Sequence, residues 1–161
     1  MSVSNRLVII AGATSASGLT AARVLRDADA RVVAVGRNAG RLRDLVDSLE
    51  TGPAASLAGG TAGTVRTEVC DLGDEAQVAA LAERIRAEDG PVDGVLHLVG
   101  GWRGGGGLAG QSDADFRFLE GSLTALRHVS RAFDADLRAS EAGRLAVVSS
   151  TAVARPLAGG A

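Results

Sequence analysis

Short β-rich apolar runs alternating with segments of helical period constrain this chain more than any other feature. Arg6 to Ala11 reads Arg-Leu-Val-Ile-Ile-Ala and stops at Gly12. A run with so little polar alternation suits a strand buried on both faces. A helix is predicted from about Ser17 to Ala28, with Leu19, Ala22 and Leu25 inward, and a second strand over Arg31–Val35. Leu42, Leu45, Val46 and Leu49 fall at i, i+3, i+4 and i+7 and define the next helix. Thr51 to Gly63, rich in Gly, Ala and Pro, reads as a surface loop. Val65, Thr67 and Val69 alternate with Arg66 and Glu68, giving a third strand with one more exposed face.

Asp71 or Asp74 then caps a helix whose inner face is Val78, Leu81 and Ile85. Val95–Val99 is a fourth strand, followed by a Gly-rich loop from Gly100 to Gly110. The longest helix is predicted over Asp113–Arg138, with Phe116, Leu119, Leu123, Leu126, Val129, Phe133 and Leu137 on its inner stripe. Leu145 to Ser149 is a fifth strand. Strands this apolar, separated by helices, imply a parallel α/β sheet covered on both faces. Right-handed crossovers make it doubly wound. At 161 residues, without internal repeats, a single domain over 1–161 is expected.

The turn Gly12-Ala-Thr-Ser-Ala-Ser-Gly18 lies directly between the first strand and the first helix. Gly12 permits the tight exit from the strand, and Gly18 permits close packing of the helix. Amide hydrogens at the helix start, with its positive dipole end, suit a pyrophosphate. The hydroxyls of Thr14, Ser15 and Ser17 can add hydrogen bonds, and Leu19 completes the binding stretch. An NAD-type site carries an acidic residue about 20 residues beyond the glycines. Here that region reads Val35-Gly36-Arg37-Asn38, without an acid. Arg37 offers a planar, permanently cationic fork suited to a 2′-phosphate, so NADP is expected in preference to NAD.

The ordered set resembles the short-chain dehydrogenase/reductase family, whose fold is a Rossmann sheet. Ala11-Gly12-Ala-Thr-Ser-Ala16-Ser-Gly18 stands where that family has Thr-Gly-x-x-x-Gly-x-Gly. Cys70-Asp71-Leu72 resembles its Asp-Leu after the third strand, which implies adenine recognition by Asp71 with Leu72 beside it. His97-Leu98-Val99-Gly100 stands in place of Asn-Asn-Ala-Gly, keeping only the glycine. The resemblance implies that Val99 and Gly100 line the path to the nicotinamide, and that His97 either replaces an asparagine brace or is a satisfied interior histidine. Ser122-Leu123 stands where the family has Asn-Leu, which alters its water-linked proton relay. Arg144-Leu-Ala-Val-Val-Ser-Ser150 resembles the strand with paired serines, implying that Ser150 holds a substrate oxygen as the catalytic serine.

The family's Tyr-x-x-x-Lys is absent. Tyrosine is zero, and all 17 Lys+Arg residues are arginine, so there is no lysine. A phenol with a pKa of about 10 works near neutrality only when a neighbour such as that lysine lowers it. The 161 residues are therefore expected to be the N-terminal, cofactor-binding part of a longer enzyme, without turnover by themselves. The C-terminal strands of the sheet would be missing, leaving the fifth strand as an apolar edge.

The implied activity is carbonyl/alcohol interconversion by hydride transfer on a small-molecule substrate. The alternative is a non-catalytic dinucleotide-binding or regulatory module. A net charge of -2 argues against a nucleic-acid partner. Nothing is long and apolar enough to span a bilayer, and nothing at the start reads as a signal peptide, so no membrane partner and a cytoplasmic setting are expected. One cysteine, Cys70, and two histidines, His97 and His128, provide no metal constellation. Cys70 reads as a small buried hydrophobe, and His128 as a surface or dimer-interface residue. Arg41, Arg43, Asp44 and Asp47 read as a solvated helix face. A homo-oligomer is expected of the full-length protein.

Overall fold

The computed structural model describes residues 2–51, 62–103 and 107–149. Ser150, the middle of the Thr51–Gly63 segment and part of the Gly-rich loop lie outside the described residues. In chain order the elements are β1 (Leu7–Ala11), α1 (Ala16–Asp27), β2 (Arg31–Gly36), α2 (Ala39–Thr51), β3 (Val65–Val69), α3 (Glu75–Glu88), β4 (Gly94–His97), a 3-10 turn (Leu108–Gly110), α4 (Asp113–Ala139) and β5 (Arg144–Val147). The strands form one sheet in the order β3-β2-β1-β4-β5. Every pairing is parallel, Ile9 lying opposite Val33 on one side and Val95 on the other.

Alternation along the strands sends side chains to two separate cores. Leu7, Ile9, Val33, Val35 and Val95 pack with Val78, Leu81 and Ile85 of α3 and with Val129 and Phe133 of α4. Ile10, Val32 and Ala34 pack with Ala22 of α1 and with Leu45 and Leu49 of α2. Helices thus cover both faces, as the apolar runs predict.

Asp93 ties three strand starts together. It accepts from the Leu7 amide at 3.0 Å, from Arg6 Nη1 at 3.1 Å and from Ser140 Oγ at 2.7 Å. Its own carbonyl accepts from the Arg144 amide at 3.1 Å. Burial would raise its pKa, but the Ser140, Leu7 and Arg6 hydrogen bonds prevail and hold the carboxyl below its ordinary 3.8.

Two expectations are corrected. β4 ends at His97, so Leu98 and Val99 belong to the following loop. The buried stripe of α4 is Ala125, His128, Val129, Phe133 and Asp136, whereas Phe116 and Leu123 are 57% and 67% exposed. Leucines lie on more than one face of this helix, and only contact with α3 and the sheet selects the inner one. β5 is likewise exposed along its whole length, whereas β3 at the opposite edge is largely half-buried.

Candidate functional site

The chain crosses from β3, at one edge, to β4 on the far side of β1. In such sheets the strand ends beside the reversal splay apart and leave a crevice at their carboxyl ends. A cleft of about 430 Å³ lies there. Gly12, Thr14 and Ser15 line it from the first turn, Gly36 and Arg37 from the end of β2, Asp71 and Leu72 after β3, and Val99 and Gly100 after β4. These nine were singled out by sequence, apart from Gly36.

The turn after β1 leaves no room for larger residues at two places. Gly12 has φ +84, and a Cβ there would sit 3.0 Å from the Leu98 carbonyl and the Val99 nitrogen. A Cβ on Gly18 would lie 2.3 Å from the Ala13 oxygen, so this glycine permits close approach of the helix to its own turn. Ser15 caps α1: its Oγ accepts from the Gly18 amide at 3.0 Å and donates to the Gly12 carbonyl at 3.1 Å. That hydroxyl is therefore held within the turn. The Leu19 amide is the first to bond back, to Ser15 at 2.9 Å. Of the three amides before it, Gly18 is satisfied by the cap, while Ala16 and Ser17 have no acceptor in the helix. These two N–H groups are left for an acceptor from outside the helix.

Ser17 and Leu19 do not line the cleft. Ser17 is exposed, and Leu19 lines a separate groove with Asp44, Leu45 and Ser48 between α1 and α2. Leucine at that point of the turn serves packing, contributing to the second core.

Arg37 is exposed at the mouth of the cleft. Arg41 is exposed, as the solvated-face reading of α2 expects, and also lines the cleft. Its Nη2 donates to the Thr14 carbonyl at 2.8 Å, folding the guanidinium over the first turn. No helical period marks this, because the reach of the side chain crosses from one element to another. Asn38 orients that helix start, its Oδ1 accepting from the Arg41 amide at 3.0 Å. Arg117, Gly121, Ser122 and Ala125 of α4 form the far wall.

After β3, the Asp71 carboxylate accepts from the Gly73 amide at 3.0 Å, an Asx turn that leaves its second oxygen for other donors. Asp74 is the helix cap, accepting from the Ala76 and Gln77 amides at 2.9 and 3.1 Å. Cys70 is buried, and desolvation pushes its thiol up to about 11, so it stays protonated at neutral pH.

His97 is 2% exposed, and neither ring nitrogen has a hydrogen-bond partner among the described residues. Only the Ser122 backbone approaches the ring, without the geometry of a full hydrogen bond, so His97 is interior as expected but poorly satisfied. Burial lowers its pKa below 6.5, opposed in part by the Ser122 backbone, so the ring is neutral. His128 also departs from the surface reading: it is 7% exposed, with Nδ1 3.2 Å from the Leu72 carbonyl.

The family model for short chain dehydrogenase matches residues 6–161. The chain belongs to the short-chain dehydrogenase family. Among curated proteins it is 37% identical over 119 residues to the Bos taurus protein named dehydrogenase/reductase SDR family member 7B. That match covers 73% of this chain but 35% of the bovine one. A short-chain type dehydrogenase/reductase from Mycobacterium ulcerans is 27% identical with TM-score 0.78, over 99% of this chain and 56% of its own. A metagenomic short-chain oxidoreductase solved in complex with NADP is 28% identical with TM-score 0.79, over 100% of this chain and 69% of its own. The chain thus spans about a third of the bovine relative and little over half of the mycobacterial one. Among the described residues, no helix is long and apolar enough to cross a membrane.

Proposed function

We propose that this short-chain dehydrogenase segment binds NADP(H) and belongs to an oxidoreductase interconverting a carbonyl and an alcohol. The observation that carries the cofactor choice is the end of β2, where Gly36 is followed by Arg37, Arg41 stands close by, and no carboxylate occurs in Val35–Asn38. Two guanidinium groups suit the dianionic 2′-phosphate of NADP and leave a bare ribose diol without its usual acceptor. The metagenomic relative solved with NADP supports the same choice.

The glycines fit such a ligand. A Cβ at Gly12 or Gly36 would press on Leu98 and Val99 or on Thr14, while Gly100 and Gly121 line the cleft with nothing within 4 Å of a Cβ position. The floor is tight where a diphosphate must approach backbone and open toward α4. In this reading the Ala16 and Ser17 amides face the diphosphate, Thr14 flanks it, and Asp71 with Leu72 holds the adenine. Val99 and Gly100 border the nicotinamide, and Ser150 orients the substrate oxygen. When bound, the nicotinamide supplies or accepts the hydride. Proton transfer needs a group of suitable pKa, and the 161 residues hold neither tyrosine nor lysine. These residues by themselves bind cofactor without turnover.

The same proposal covers a single domain over 1–161, a cytoplasmic setting, a small-molecule substrate and a homo-oligomer of the full-length protein. A non-catalytic dinucleotide-binding module is the second reading, favoured by His97 and Ser122 at the family's asparagine positions.

Calorimetric titration with NADPH and NADH tests the first reading. NADPH should bind at least about tenfold more tightly, and Arg37→Ala should remove most of that preference. Equal affinity for the two overturns the 2′-phosphate assignment. Carbonyl reduction by the purified segment overturns the absence of turnover.

A further inference from the structure

We propose that His128 is a positioning residue for the adenine end of the cleft, an inference that rests on the dinucleotide reading above. A carbonyl oxygen only accepts, so Nδ1, 3.2 Å from Leu72 O, carries the proton and donates. Leu72 lines the cleft immediately beside Asp71. The segment from Cys70 to Asp74 is otherwise tied to the β2–α3 side or to itself. The Cys70 amide donates to Gly36 O and the Asp71 amide to Gln77 Oε1, both at 3.0 Å. The Gly73 and Asp74 amides bond back to Asp71, also at 3.0 Å.

Among the described residues, His128 is the segment's hydrogen bond to α4. Ser122, Ala125 and His128 recur every three residues along one face of that helix. The first two form the far wall of the cleft, and the third reaches behind it to hold the near wall. His128 therefore joins the wall that carries Asp71 to the helix that carries Ser122, from the buried side, while the exposed Arg131–Glu75 pair at 2.6 Å joins α3 to α4 from outside. Burial makes the bond matter: at 7% exposure, water cannot readily replace the ring as donor to Leu72.

The test uses adenosine 2′,5′-bisphosphate for the adenine side and nicotinamide mononucleotide for the other, titrated into wild type, His128→Leu and His128→Asn. Wild type should bind the bisphosphate. The leucine variant should bind it about tenfold more weakly with the mononucleotide unchanged. Asparagine, whose amide can replace Nδ1–H, should restore most of the affinity. Should the leucine variant fail to fold, the asparagine variant and nitrogen-15 imidazole spectra of wild type decide. The His128 signals should move on adding the bisphosphate and stay still with the mononucleotide.

Failure of wild type to bind the bisphosphate overturns the NADP(H) reading on which this inference rests. Bisphosphate binding that is unchanged in the leucine variant, or equal loss of both ligands, overturns the positioning role alone. So do imidazole signals that ignore the bisphosphate.

Discussion

On the β2 side of β1, Val32–Gly36 is buried throughout, and the turn leaving β1 is pinned by the Gly12 and Ala13 amides to Val35 O at 3.1 and 3.0 Å. On the β4 side, all four residues of β5 are exposed and His97 is buried without a hydrogen bond. Both flanks use the same parallel pairing, so the strands themselves do not explain the difference. Packing does: β2 is covered by α1 and α2 and continued by β3, while β5 pairs with β4 alone among the described strands. The β2 side is packed on both faces, and the α4–β5 side displays apolar surface at Leu123, Leu145 and Val147.

The comparison is sharpened first at the core that both flanks share. Phe133 is fully buried, and Phe133→Ala should cost about 3–5 kcal/mol, read from urea unfolding. A loss under about 1 kcal/mol would mean that α4 docks loosely. Next is the nucleotide flank. Gly18→Ala forces a Cβ against the Ala13 backbone and should cost about 1–3 kcal/mol and abolish NADPH binding, measured by thermal melting and calorimetry. Unchanged binding would show that the turn relaxes freely.

His97 gives an effect of opposite sign. His97→Leu removes a buried polar ring whose one approach, to the Ser122 backbone, falls short of a full hydrogen bond, and should stabilise by about 1 kcal/mol at neutral pH. Its pH dependence follows from linkage. The folded-state pKa lies below 6.5, so the unfolded chain binds the proton first. The His97 contribution is full above about pH 6.5 and is lost as pH falls through that value toward the folded pKa. Thermal melts between pH 5 and 8 should therefore slope more steeply in wild type than in the leucine variant, and parallel curves would contradict the burial. The smallest effect belongs to the exposed edge. Leu145→Thr should change stability by less than about 0.5 kcal/mol while reducing self-association, checked by light scattering.

The α1 turn and the strands were legible because they depend on local rules. Gly12 requires positive φ, the apolar runs require burial, and Asp74 caps the helix that follows it. Arg37 was legible too, since its place after β2 follows from chain order. Arg41 and His128 were not, because each acts on a carbonyl far away in sequence, Thr14 and Leu72. Leu19 turns toward α2 for a related reason: periodicity gives a helix but not which neighbour each side meets.

By itself, the sequence determined a doubly wound parallel sheet, a glycine turn at its switch point, and chemistry limited by the lack of tyrosine and lysine. These follow from steric, hydrophobic and compositional facts that need no partner. Only the tertiary structure decided which stripe of α4 is buried, that His97 lies unbonded while His128 holds Leu72, and that Arg41 joins the cleft. Such choices depend on which distant surfaces meet, and a linear pattern of apolar and charged residues does not specify that.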